Sequence, residues 1–394
     1  MKRKKLLYLF LVATVAYGCS SGDRSSEVRE INLDPESRQI GKLTLNELVE
    51  SISYIPLETT DDCLIGEITN SIISENHLLL YCRIARRCYL FNKTGRFVAP
   101  IGNFGQGPGE YSYGPELIQI DEKNNEVILR TSNPNQLLYY DFNGKYKKSE
   151  SLDITSGNLS YHTNFYLIKT RNDGSVPYSY TILDKDFKMV AQTIQPIHFT
   201  PNPPGTSAGG GVVFCQYMYD NKVHVRENML NDTLYMINSD FSVIPKYVVN
   251  AGTYGVTLEI RSDTELFISK FRSGQITILS SMFETNDYVL LSFRYLQEMN
   301  IPSYYNKKED KFLYFSSSAG IPNDYDGGLD FWPQYQYNNQ LIAYYQAYKF
   351  EEHLNSSNKL KPQGTLEVIN YFDQMCRKID TEDNPVMVVV TLKN

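Results

Sequence analysis

The sequence is poor in the residues that most often announce chemistry. Tryptophan occurs once, as Trp332, and histidine five times in 394 residues. The histidines (His77, His162, His198, His224, His353) are scattered. None forms an H-E-x-x-H or an i, i+4 pair, so a helix-borne zinc hydrolase site is excluded. Six cysteines include no C-x-x-C, which leaves a thiolate zinc site without ligands at usable spacing. No G-x-S-x-G elbow is present. The Gly209-Gly210-Gly211 run is followed by no Lys-Ser/Thr, so it is not a phosphate loop. Basic charge is in deficit. The formal net charge is −7, and about −11 without Lys2, Arg3, Lys4 and Lys5. A field of that sign disfavours nucleic acid.

What is present is a strand grammar. Tyr is abundant at 31 and Phe at 19, and both favour strands. The stretch 76–111 reads as an apolar strand (HLLLYC), a basic loop (RIARR), a hairpin turning at residues 92–95, and a glycine-rich exit at 102–109. Similar units follow, with hairpin turns expected at 141–144, 184–187, 238–241 and 306–310. A sixth unit begins at Asn339, is interrupted at 350–383 by a partly helical insertion whose apolar face runs over 366–372, and resumes at Val386. The spacing of roughly 40 to 65 residues suits four-stranded blades. The sixth unit has no outer strand of its own, and the strand at 52–58 fills that place. The expected fold is all-β: a six-bladed β-propeller over 46–394, closed by the N-terminal strand, with a small helical insertion. A pair of β-sandwiches is the competing arrangement.

The N-terminal residues read as a processing signal. A basic start precedes 11 apolar residues, too few to cross a bilayer as a helix. They end in Ala16-Tyr17-Gly18-Cys19, a lipobox-like pattern. The reading is a signal peptide at 1–18, lipidation at Cys19, and a polar tether at 19–45. The expected address is therefore the cell envelope, at the outer membrane, on either its periplasmic or its surface side. Cys82 and Cys88 end one strand and begin the next, so either a disulfide or two free thiols fits there.

The run Gly102-x-x-Gly-x-Gly-Pro-Gly-Glu-Tyr111, the strand Ile55-Pro-Leu-Glu-Thr59 and the end Asn384-Pro-Val-x-Val-Val-x-x-Leu-Lys393 resemble the six-bladed β-propeller lipoproteins of Bacteroidetes. The resemblance covers nearly all of the mature chain. More distantly it extends to NHL-type and TolB-like propellers. It implies the fold and the exported address, and no defined activity.

Candidate site residues lie on the loops expected at one face, where function concentrates. An Arg falls near the end of the second strand in five units: Arg83, Arg130, Arg171, Arg226 and Arg294, with Gln346 and Lys349 in the sixth. Converging guanidiniums would read a carboxylate, sulfate or phosphate. The opposing expectation pairs each Arg with an acid of a neighbouring blade, such as Glu110, Glu116, Glu227 or Asp330. The aromatics Phe104, Tyr111, Tyr113, Tyr295, Tyr325, Phe331 and Trp332 either stack on sugar rings or, for Trp332 above all, pack between blades. His198 is the favoured single histidine. Asp324, Asp326 and Asp330 are a weak Ca²⁺ candidate. No other metal and no cofactor is expected. The functional expectation is a lipid-anchored propeller binding a glycan, another anionic ligand or an envelope protein. A glycan- or peptide-acting lyase or hydrolase, or a scaffold in an envelope complex, is the alternative.

Overall fold

The structure is a computed structural model and describes residues 28–152, 158–162, 164–170, 172, 174, 176–203, 214–227, 232–357 and 360–393. Strand β1 (Arg29–Asn32), helix α1 (Leu45–Leu48) and β2 (Val49–Pro56) open the chain. The first four-stranded sheet holds β3 (Ile68–Ile73), β4 (His77–Cys82), β5 (Arg87–Asn92) and β6 (Phe97–Ile101). A two-stranded ribbon, β7 (Asn103–Phe104) and β8 (Glu110–Tyr111), leads to the second sheet: β9 (Leu117–Asp121), β10 (Glu126–Ser132), β11 (Asn135–Asp141) and β12 (Tyr146–Ser151). The third holds β13 (Asn158–His162), β14 (Phe165–Lys169), β15 (Tyr178–Asp184) and β16 (Met189–Ile194). Next come β17 (Phe214–Tyr219), β18 (Lys222–Glu227), β19 (Thr233–Ile237) and β20 (Val243–Asn250), then helices α2 (Leu258–Ser262) and α3 (Thr264–Arg272). A fourth separate sheet follows: β21 (Ile278–Glu284), β22 (Tyr288–Tyr295), β23 (Glu298–Asn306) and β24 (Lys311–Tyr314). The chain continues through β25 (Tyr335–Tyr337), β26 (Gln340–Tyr345), α4 (Tyr348–Asn355), α5 (Leu366–Cys376) and β27 (Val386–Leu392). Among the described residues there are thus four separate four-stranded sheets. A nine-stranded sheet runs in the order β1-β20-β19-β18-β17-β25-β26-β27-β2.

The sheets form a propeller-like ring, because each buries its apolar residues against the next. Leu79, Cys88 and Leu90 of the first sheet pack with Leu129, Leu138 and Tyr140 of the second. Leu117 meets Leu159 and Tyr166 of the third. Leu167 and Ile182 meet Val223 and Val225. The largest cluster joins β17–β20, β21–β24 and the strands beside β2. Leu78, Leu80 and Phe91 return to Ile342, Tyr344 and Met387, so the last strands touch the first sheet. Pairing of β2 with β27, from Val49 opposite Leu392 to Pro56 opposite Val386, places the N-terminal strand at the outer edge expected for it.

The hairpin turns fall where the sequence places them. Asn92 Oδ1 accepts the Thr94 and Arg96 amides, and Asp141 Oδ1 those of Asn143 and Lys145. Asp184 repeats the pattern with Asp186 and Lys188. Each side chain stands in for a turn hydrogen bond. Gly95 has φ +84°, and a Cβ there would lie 2.2 Å from the Pro56 carbonyl. Phe187 and Phe241 hold the equivalent left-handed position at φ 61° and 66°.

Two expectations are corrected, for the tether and for the confinement of helix to the C-terminal insertion. The stretch 29–45 is laid onto the sheets instead of trailing as a tether: β1 pairs in parallel with β20, and Ile31, Leu33 and Leu43 are buried. Of the two possibilities open for Cys82 and Cys88, the structure has free thiols. Cys82 sits opposite Arg87 and Cys88 opposite Tyr81, one register step apart. Neighbouring positions point to opposite faces, and the two sulfurs enter different cores. The chain stays in strand past Phe293, because β22 turns into β23 at Leu296, φ 54°. Finally, residues 250–275 carry helices α2 and α3, capped by Thr257 and Asp263. Both caps are legible as T-x-E and D-x-E starts.

Candidate functional site

The arginine set divides. Arg130, Arg226 and Arg294 stand at the ends of the second strands of their sheets, and Arg83 follows β4 directly; Arg171 lies outside the described residues. Arg130 is 3% exposed and donates to Glu116 Oε2 at 2.7 Å and Asn135 Oδ1 at 3.2 Å. Arg83 pairs with Glu67 on the surface. Arg226, also buried, has Asp232 at 3.9 Å. Arg294 lies over the Phe271 ring at 3.6 Å. Glu67 and Glu116 each immediately precede the first strand of the same sheet as their arginine. The partners are therefore acids of the Arg's own sheet, not of a neighbour.

The aromatics divide likewise. Tyr111 is buried between Tyr81 and Tyr140. Tyr295 is buried and donates to Glu36 Oε1 at 3.0 Å. Phe331 is buried, and Trp332 packs edge-on to Phe315 with its Nε1 donating to Ser281. These are packing positions, three of them buried and Trp332 partly buried. Tyr325 is half-buried and donates to the Glu50 carbonyl. Phe104, under the Arg86 guanidinium at 4.5 Å, and Tyr113 are exposed. His198 is exposed on the loop after β16, apart from the other histidines in sequence.

The three aspartates fasten their loop internally and to neighbouring segments. Asp324 accepts Thr44 Oγ1, the Asn46 amide and Gln363 Nε2. Asp326 accepts Tyr54 Oη at 2.8 Å, Asn323 Nδ2 and the Gly328 amide. Burial raises the Asp326 pKa despite those donors. Asp330 Oδ1 accepts the Asn323 amide. With their oxygens turned to protein donors, Asp324 and Asp326 do not make a calcium cage.

The same loop forms one wall of a cleft of about 570 Å³, whose other wall is α4. Ser316, Ser317, Asn323 and Asp330 face Lys349 and His353 across it, with Pro322, Leu329 and Leu360 as apolar lining. The walls are held from behind. Phe350, on α4, is fully buried against Tyr54, Tyr345 and Phe372. Helix α5, capped by Thr365, buries Phe372, Met375 and Cys376, whereas Leu366 is exposed. The buried face of the insertion is thus offset from the expected 366–372. His353 Nε2 donates to the Gly327 carbonyl at 2.7 Å, which engages one of its two ring nitrogens. Tyr345 Oη donates to the Asp330 carbonyl and accepts the Trp332 amide. A pocket carrying one amine, one carboxylate, one imidazole and several hydroxyl and amide groups is suited to a small, polar, hydrogen-bonding ligand. Lys349 was named in the sequence as the sixth unit's cation; His353 and the cleft were not.

A second concentration of charge gathers around one buried carboxylate. Glu284, at the end of β21 and 2% exposed, accepts Lys246 Nζ and Lys307 Nζ at 2.7 Å each, Tyr247 Oη at 2.7 Å and Tyr217 Oη at 3.3 Å. Gln336 of β25 bonds its backbone on both sides. Burial pushes the Glu284 carboxyl up, but Lys246 and Lys307 outweigh it and hold the pKa at about 2. His224, stacked on Tyr217, is pushed down to about 3 by burial and by the Lys246 ammonium. Glu284 is buried while Lys246 and Lys307 keep partial access to water, and the network ties three groups of strands together. Its members come from six strands and turns, and no local pattern announces them.

The ring of sheets and its loop-borne cleft define a propeller-like, all-β protein with a ligand-sized pocket. The chain belongs to the family described as Domain of unknown function (DUF4934), whose model matches residues 28–391. Among solved structures, it is similar to one from Bacteroides fragilis, named "Putative exported protein", at 16% identity and TM-score 0.64, covering 93% of this chain and 100% of that one. It is also similar to a Bacteroides vulgatus member of the DUF4221 family, at 10% identity and TM-score 0.46, covering 91% and 99%. At such identities the likeness speaks for the fold alone. No curated protein matches.

Proposed function

We propose that the protein is an exported binding protein of the cell envelope, lipid-anchored at Cys19 at the outer membrane, that takes a glycan or other anionic ligand in the cleft between the 316–330 loop and α4. The observation that carries the reading is the cleft itself. Its volume is about 570 Å³, and it brings Lys349 and His353 opposite hydroxyl and amide groups. Lys349 supplies charge for a carboxylate or sulfate, and the hydroxyl and amide groups supply exchangeable hydrogen bonds for a sugar. The B. fragilis relative's name supports the exported address. No helix among the described residues is long and apolar enough to cross a membrane.

In this reading the propeller has six blades. The nine-stranded sheet counts as two, β17–β20 and β25–β27 with β2, joined by the single parallel pairing of Met218 with Tyr337.

The test is calorimetric titration with a panel of uronic-acid, sulfated and neutral oligosaccharides against the wild type, Lys349→Ala and His353→Ala. Saturable binding of an acidic member, weakened at least about tenfold in Lys349→Ala, is expected from the loss of a charge-assisted contact. Binding unaffected by both substitutions removes the cleft from the account. Product formation by any member would favour the lyase or hydrolase reading instead. For the anchor, radiolabelled palmitate incorporated by the wild type and not by Cys19→Ala is expected.

A further inference from the structure

The segment before β2 crosses two sheets, from Arg29 to Asn46, and ends on a wall of the cleft. Strand β1 pairs with β20, and the Leu33 amide continues that ladder to the Asn250 carbonyl. The chain then passes to β23 and β24. Tyr314 Oη donates to the Asp34 carbonyl at 2.6 Å, and Arg38 forks onto Glu298. The Gly41 amide donates to the Tyr314 carbonyl, and the Tyr314 amide to that of Gln39. Gly41 lies so close to the buried Tyr304 ring that a Cβ would collide with it. Ile31, Leu33, Leu43 and Leu45 are buried along the way.

The last contacts of this strap are with the 316–330 loop. The Leu45 amide donates to the Pro322 carbonyl at 2.9 Å. Thr44 Oγ1 and the Asn46 amide donate to the two carboxylate oxygens of Asp324, at 3.0 Å each. Asp324 is 5% exposed, and its neighbours Pro322 and Asn323 line the cleft. Its Oδ2 also accepts Gln363 Nε2 at 2.8 Å, and its carbonyl the Gln363 amide at 2.7 Å. Gln363 belongs to the connection from α4, the other wall, to α5. One buried carboxylate thus ties the strap to the loop and to the segment that leaves the facing helix. Hydrogen bonds to an ionised acceptor are short and strong, so three of them hold this carboxylate and its backbone in one place.

We infer that Asp324 is a positioning residue of the cleft, and that docking of the 29–46 strap sets the shape and affinity of the site through it. The inference rests on the cleft being the binding site. Asp324 acts through the backbone, by placing Pro322 and Asn323 opposite Lys349 and His353. A docked and an undocked strap are then two states with different cleft affinity. Coupling of this kind is reciprocal: a ligand that prefers the docked state tightens the strap by the factor with which the strap tightens the ligand.

Thr44→Val removes one donor to Asp324, keeps the side-chain shape and leaves every lining residue of the cleft in place. Thr44→Ser restores the donor. Hydrogen exchange on the protein alone is the first arm. The Tyr325, Asp326 and Gly328 amides are held by the loop's own Asn323 and Asp326 side chains, so they report its order. Their exchange is expected to rise roughly fivefold in Thr44→Val, the worth of one hydrogen bond. It should return to the wild-type rate in Thr44→Ser, with β4 and β10 unchanged throughout. The second arm adds tri-galacturonate. In the wild type it is expected to slow exchange at the Leu45 and Asn46 amides, which lie outside the cleft lining. It should bind Thr44→Val roughly fivefold more weakly, with Lys349 intact. Loop exchange unchanged in Thr44→Val overturns the proposal, whether or not any glycan binds. So does a trisaccharide that binds in the cleft and leaves the Leu45 and Asn46 amides as they were. A trisaccharide that does not bind at all counts against the acidic-glycan reading, and loop exchange alone then decides the role of Asp324.

Discussion

Replacing Glu284 by Gln keeps the side-chain shape and removes the one negative charge between Lys246 and Lys307. Two ammonium groups, 20% and 13% exposed, then face each other without a counter-ion. Removing one partner of a buried ion pair costs about 3–5 kcal/mol, and partial access of the lysines to water points to the lower end. The linkage argument is independent. A carboxyl held at about 2 against the usual 4.5 contributes about 3 kcal/mol at neutral pH. The folded pKa is depressed, so the contribution is complete above about 4.5 and is lost as pH falls toward 2. Urea unfolding followed by the single Trp332, which packs on Phe315, measures it. The difference between wild type and Glu284→Gln is expected near 3 kcal/mol at pH 7 and to shrink between about pH 4.5 and 2. A difference below about 1 kcal/mol at pH 7, the worth of an exposed pair, refutes the reasoning. So does one that does not change with acid.

Three further outcomes follow from the packing. Ile31→Ala, at a fully buried position on β1, should lower stability by about 2–4 kcal/mol and speed proteolysis of the N-terminal segment; full retention would mean that β1 is only loosely laid on β20. Gly95→Ala should cost at least about 1 kcal/mol, since φ +84° and the Pro56 carbonyl both oppose a Cβ, and an unchanged urea midpoint would contradict that geometry. Reductant should leave the melting temperature unchanged, because Cys63, Cys82, Cys88, Cys215 and Cys376 are buried thiols outside any disulfide, and native-state thiol labelling should be slow at all five.

The ring was legible because its signals are local. Asx residues start the 92–95, 141–144 and 184–187 turns, and apolar alternation marks the strands between them. The missing outer strand of the sixth unit pointed to the segment that became β2. Long-range features were not legible. Strand β1 (REIN) reads as polar linker because only Ile31 faces inward, and its partner β20 lies over 200 residues away. The Arg pattern was real as a position, but Arg83 and Arg130 are paired with Glu67 and Glu116, which precede the first strands of the same sheets. Tyr111 and Tyr295 looked like ligand platforms on loop ends but turn into the core. The cleft itself arises from α4 meeting a loop some 25 residues earlier, a contact that spacing does not encode.

The most direct test of the account is a titration of the protein with acidic oligosaccharides, read at the cleft by backbone and side-chain NMR shifts. Perturbations confined to the 316–330 loop and α4, and abolished by Lys349→Ala, are predicted. Binding that maps instead to the exposed Phe104–Arg86 surface, or none to any acidic glycan, would contradict it.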